Sequence, residues 1–115
     1  MESALNKKII CSGKDEIKVF SQYDISYCQA DSGYVNIVLR DGSSCLKSQT
    51  LNALAHELDQ FQFVRVSQSF LINSLLIDVI DKKKKLIHLR CGATIPFSIG
   101  VKNLMNLLSL AFSSN

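Results

Sequence analysis

Ser67, Gln68 and Ser69 are the residues of this chain best placed to do chemistry, and the chemistry they suit is recognition. They interrupt the run from Phe63 to Ile80, FVRVSQSFLINSLLIDVI, in which strand-forming Val, Phe and Ile flank a small polar patch. A second apolar run then stops abruptly at Asn73-Ser74. Strands that halt to present Ser, Gln and Asn make a poor core and a good polar contact surface. The Gln68 amide can pair bidentately with the N6/N7 edge of adenine in a major groove, or reach minor-groove acceptors. The hydroxyls of Ser67 and Ser69 can donate to phosphate oxygens, which positions a protein without reading sequence. Without further context, a solvated turn amide is the plainer reading of Gln68.

Catalysis has little to stand on. General acid–base work needs a positioned histidine or carboxylate pair in a cleft. His56 falls on a predicted helix beside Ala55 and Leu58, and His88 alternates with Ile87 and Leu89, so both read as surface or half-buried structural residues. There is no glycine-rich phosphate loop, no nucleophile elbow and no carboxylate pair with a matching base. No catalytic residue and no cofactor are assigned. Cys11, Cys28, Cys45 and Cys91 are widely spaced without a CxxC pair, and with two histidines they make no metal site. Buried free thiols are the expectation for all four.

The elements that must position the polar patch follow from periodicity. Lys8 to Cys11 and Ile17 to Phe20 read as a hairpin around Ser12-Gly13-Lys14-Asp15. Ile25 to Gln29 is a third strand, closed by Asp31-Ser32-Gly33, and Tyr34 to Arg40 a fourth, ending in the hairpin-turn dipeptide Asp41-Gly42. In that fourth strand Val35, Ile37 and Leu39 share the core face, while Tyr34 opens the strand with its ring free to meet solvent or a partner. Ser44 to Lys47 returns. At Thr50 the period changes: Leu51, Leu54, Ala55 and Leu58 mark one buried stripe of a short helix, about 51–59, with Thr50 as its cap. Strands resume at Phe61 to Val66, Leu76 to Ile80, Leu86 to Arg90 and Thr94 to Phe97, with Pro96 placing the last at an edge. A second helix, about 101–112, follows Gly100 and shows a wide apolar face expected to dock mostly on the β core.

At 115 residues the chain has room for a single domain, 1–115, with its core within about 8–108. With 47% apolar and 20% charged residues it is globular rather than disordered. A net charge of +3 and a pI near 8.7 are compatible with nucleic acid without demonstrating it. No apolar run approaches the ~18 residues of a membrane span. Lys7-Lys8 precede only Ile9-Ile10, which is not the order of a signal peptide, so a cytoplasmic location is expected.

Phe63, Arg65, Ser69 and Asn73 match the pattern Phe-x-Arg-x-His-Arg-Ser-x-x-Val-Asn, and the segment thereby resembles the signature of the LytTR DNA-binding domain, the β-rich output module of many bacterial response regulators. Asp24-Ile25-x-Tyr27, Gly33-Tyr34, Asp41-Gly42, Leu51-x-x-Leu54 and Gly92-x-x-Ile95-Pro96-Phe97-Ser98 extend the resemblance from about Lys8 to Leu108. It implies a mainly β fold: elongated antiparallel sheets or a sandwich with one short central helix and a C-terminal helix. It also implies double-stranded DNA as partner, met by loops along one edge. On this chain those loops hold Ser32, Gly33 and Tyr34, then Ser67, Gln68 and Ser69, then Ser98, Ile99 and Gly100. Asn73 completes the polar patch, and Lys47, Arg65 and Lys102 are the candidates for phosphate contact, Arg65 having a carboxylate partner as its structural alternative.

The chain departs from the family where Ser67-Gln68 replace His-Arg and where Ile99-Gly100 replace a cation. Lys82 to Lys85 read first as a solvated hairpin tip and second as an electrostatic arm. Family members often bind as pairs on direct repeats, so a homodimer through Leu110 to Phe112 is a further expectation. A receiver plus an output domain needs about twice this length, so the output module stands alone or is an excised piece. The reading is a sequence-selective transcriptional regulator. The alternative is a degenerate LytTR-like module for protein interaction or dimerisation, pairing with itself or with a partner regulator.

Overall fold

Runs of β-branched and aromatic residues form the strands, and the structure, a computed structural model describing residues 7–113, contains ten of them, of which Phe70–Asn73, buried on both faces and without alternation, is not among those expected. β1 (Lys8–Ser12) and β2 (Ile17–Ser21) make an antiparallel hairpin. β3 (Ile25–Asp31), β4 (Tyr34–Leu39), β5 (Ser44–Lys47), β6 (Phe63–Arg65) and β7 (Phe70–Asn73) form an antiparallel sheet in the order β5-β4-β3-β7-β6. β8 (Ile77–Asp81), β9 (Leu86–Leu89) and β10 (Thr94–Pro96) form another, ordered β10-β9-β8. Helices α1 (Leu51–Glu57) and α2 (Val101–Ser113) complete the mainly β architecture that the sequence implies. Pro96 does lie on an edge strand, where its missing N–H costs no ladder bond. Thr50 caps α1 by accepting the Ala53 N–H at 3.0 Å. The helix ends at Glu57 rather than 59 because Leu58 turns to extended backbone.

The five-stranded sheet is covered on both faces where β6 and β7 run. Period-two alternation sends Phe63 and Leu71 into a core with Ile9, Phe20, Ile37 and Leu54, under α1 and the first hairpin. It sends Val64, Val66 and Ile72 into a second core with Ile87, Ile95, Phe97 and Leu104, under the three-stranded sheet and α2. Each full burial of such a side chain contributes about 1.5–3 kcal/mol.

The hairpins β3–β4 and β8–β9 are built alike. Each follows a one-turn 3-10 helix, Gln22–Asp24 or Ser74–Leu76. Each carries a bulge near its start, between Ile25 and Tyr27 or between Ile77 and Val79. Each ends in Leu-Arg-x-Gly, where the arginine N–H reaches back to Asp24 O or Leu76 O, both at 2.8 Å. The two tips therefore occupy corresponding places in their sheets.

Two expectations are corrected. Cys11 and Cys45 are joined as a disulfide, because β1 packs beside β5 and brings their Cα atoms to 6.6 Å. Cys91 is exposed, so Cys28 alone is a buried free thiol, and burial pushes its pKa up. The apolar face of α2 docks less widely than its composition suggests. Leu104 and Leu108 are fully buried, while Met105, Leu107, Leu110 and Phe112 remain exposed. No helix among the described residues is long and apolar enough to cross a membrane.

Candidate nucleic-acid interface

Three turns line up along one end of the central sheet. The first joins β3 to β4, with Asp31 paired to Tyr34 across Ser32 and Gly33. Ser32 and Gly33 both have positive φ, 48° and 88°, the backbone of a two-residue turn matched to strand twist. The second joins β6 to β7 through Ser67, Gln68 and Ser69, and Ala30 N–H donates to Ser69 O at 2.9 Å, placing it beside the first. The third links β10 to α2, and the N–H groups of Ser98 and Ile99 donate to Val66 O at 3.0 and 3.4 Å. The tips thus form one rim, held in order by backbone hydrogen bonds.

Arg65 shapes the middle turn. Its position on the Phe63 face of β6 turns it toward α1, so its guanidinium meets what that face offers. Nε donates to Ser67 O at 2.7 Å and Nη2 to Gln68 O at 2.8 Å, while Nη1 donates to Asn52 Oδ1 on α1 at 2.6 Å. The fork is filled by two carbonyls and an amide; the expected carboxylate alternative is absent from it. Ser67 reinforces the turn, its Oγ accepting the N–H groups of Ser69 and Phe70, each at 3.1 Å. The Gln68 side chain is exposed, and no hydrogen bond within the described residues holds its amide. Arg65, Ser67, Gln68, Asn52, Ser98 and Ile99 line a shallow depression of about 530 Å³ open to solvent.

Tyr34 is 49% exposed and Ser69 and Ser98 are exposed, so these join Gln68 on the rim. Lys102 is exposed on the first turn of α2, just past the third turn. Lys47 ends β5 at the same side of the sheet, but its Nζ donates to Ile10 O at 2.6 Å, toward the first hairpin.

Asn73 leaves the set. It is 0% exposed: Nδ2 donates to Ile25 O at 2.9 Å, and Oδ1 accepts from Leu75 N–H at 3.0 Å and from Gln62 Nε2 at 3.4 Å. It lies two residues beyond buried Leu71 on the same face, which is the signal that foretells its burial. Asn52 was missed, although the stripe Leu51, Leu54, Leu58 leaves it on the open side of α1.

A family model described as the LytTr DNA-binding domain matches residues 15–109. The chain belongs to the LytTR DNA-binding domain family. The LytTr DNA-binding domain of a methyl-accepting/DNA response regulator from Bacillus cereus shares the fold, with a TM-score of 0.77 at 18% identity, over 88% of this chain and 95% of that one. No curated protein matches the sequence. LytTR is a family of DNA-binding rather than catalytic domains, and in this LytTR domain each of the two histidines meets a polar neighbour. His56 Nδ1 bonds to Asn52 O at 2.8 Å and His88 Nδ1 to Thr94 Oγ1 at 3.2 Å.

Proposed function

We propose that this LytTR domain binds double-stranded DNA sequence-selectively through its rim of turns and acts as a transcriptional regulator. The observation that carries the reading is the ordered row of the Tyr34 turn, the Gln68 turn and Ser98, with exposed polar side chains on a backbone braced by hydrogen bonds. In this reading Gln68 reads a base edge, Tyr34, Ser69 and Ser98 hold phosphates, and Lys102 neutralises charge nearby. Pre-organisation supports it: Arg65 fixes the Gln68 backbone before any partner arrives, so less ordering cost falls on binding. Two copies on neighbouring repeats would use the uncovered stripe Leu107, Leu110 and Phe112 of α2. That stripe also suits the protein-interaction alternative.

Selection from a random duplex library tests the reading. A recovered motif is the expected result, and Gln68→Ala should then weaken binding to it by ~1–3 kcal/mol and relax one position. Retention without any motif, and indifferent to Gln68, would overturn it.

A further inference from the structure

Lys82, Lys83 and Lys84 serve neither the cores nor the three turns. All are exposed, and no carboxylate among the described residues is paired with their ammonium groups. Their turn is nonetheless well formed, since Lys84 N–H donates to Asp81 Oδ1 at 2.9 Å and Asp81 pairs with Leu86. Lys85 is different. At φ 58° it takes a backbone shape uncommon for any residue but glycine, and its side chain folds back onto the body. Its Nζ donates to Ile99 O at 2.8 Å and sits 4.9 Å from the Phe97 ring centre, while its own carbonyl accepts Phe97 N–H at 3.1 Å.

These contacts decide where the lysine turn lies. Phe97 precedes Ser98, whose N–H bonds to Val66 O beside Ser67, so the lysine turn is the next member of the rim after the third turn. With strands about 4.8 Å apart, its tip stands on the order of 5–10 Å from Ser98, within one screening length of the same polyanion. The repeat agrees, because the β8–β9 tip corresponds to the β3–β4 tip that carries Tyr34. Charge is also unevenly shared. Residues 60–115 hold seven Lys and Arg against two carboxylates, whereas residues 1–59 hold six against eight.

We propose that Lys82, Lys83 and Lys84 form a phosphate clamp, a fourth point of the rim gripping the DNA backbone beyond the groove that Gln68 enters. The clamp supplies cations that the rim lacks at Ser67-Gln68 and Ile99-Gly100, and it rests on the DNA-binding reading above. The test compares wild type, K82A/K83A/K84A, K82R/K83R/K84R and Q68A on the selected duplex and a scrambled one, by anisotropy from roughly 50 to 200 mM salt. The alanine variant should lose about tenfold or more on both duplexes at low salt, with unchanged preference between them. Its slope of log affinity against log salt should flatten by about 2–3, at ~0.9 per lost contact. The arginine variant should bind like wild type, and Q68A should instead lose preference with its slope kept. Unchanged affinity and slope for the alanine variant, in a wild type that binds, overturns the clamp and leaves the DNA reading intact. A loss confined to the selected duplex overturns it too, in favour of base reading by the turn. A wild type that binds no duplex overturns both. Thermal melting checks that each variant folds, and the arginine variant keeps the comparison valid if alanine disturbs the turn.

Discussion

The guanidinium of Arg65 lies half-exposed beside the rim, and its three hydrogen bonds go to Ser67 O, Gln68 O and Asn52 Oδ1. A planar fork is suited to that task and an ammonium is not. Arg65→Lys, which keeps the charge, should therefore lower affinity for a preferred duplex by about tenfold, ~1.4 kcal/mol, and lower scrambled-duplex affinity less. Titrations on the two duplexes check this; equal losses on both would make Arg65 a simple phosphate cation. Asn73 belongs to the interior, joining β3, β7 and the 3-10 turn after it. Asn73→Ala strands Ile25 O and Leu75 N–H without their partner and should cost about 2–4 kcal/mol in a urea melt. Asn73 is satisfied only because all three elements are in place, so its loss is felt by the fold first.

Turns decide what the strands can present. The β3–β4 turn needs positive φ at Ser32 and Gly33, and a Cβ on Gly33 would meet nothing within 4 Å. Gly33→Ala thus isolates backbone strain from crowding, and about 1 kcal/mol of stability should be lost with no change in core packing. A thermal melt measures it, and an unchanged midpoint would show that the turn relaxes freely. The β8–β9 tip solves the same problem with Lys85 rather than glycine, and there the side chain gains contacts with Ile99 and Phe97 that glycine could not make. α2 shows the opposite economy: a helix broad in apolar residues buries only Leu104 and Leu108 completely.

The molecule as a whole is two cores sharing one sheet, with the first hairpin fastened to β5 through Cys11 and Cys45. That crosslink closes a separation of 34 residues, which constrains the unfolded chain by about 2–4 kcal/mol on the loop-entropy view. Adding a thiol reductant should therefore lower the melting midpoint by on the order of 10 °C, for a domain of this size. Because Cys28 is buried and Cys91 is alone at the surface, the shift has one intramolecular source. A midpoint indifferent to reductant would mean that β1–β2 holds its place by packing alone.

Alternation and turn chemistry were legible along the chain because they are local. They gave nine of the ten strands in order, the Thr50 cap, the inward set Val35, Ile37, Leu39, the edge position of Pro96 and the turns that carry Tyr34 and Gln68, but not β7, whose apolar run Phe70-Leu71-Ile72 has no alternation to read. A period of two tells which side of a strand is apolar, but not which other strand will lie beside it. Pairing of β3 with β7, packing of β1 on β5 and the bond from Phe97 to Lys85 join segments far apart in sequence. Those long-range pairings decided that Asn73 is enclosed, that Arg65 finds Asn52, that two cysteines meet, and that Lys85 folds against Phe97 and Ile99. The chain specified the parts of the rim; only the neighbours chosen in three dimensions set them in one line.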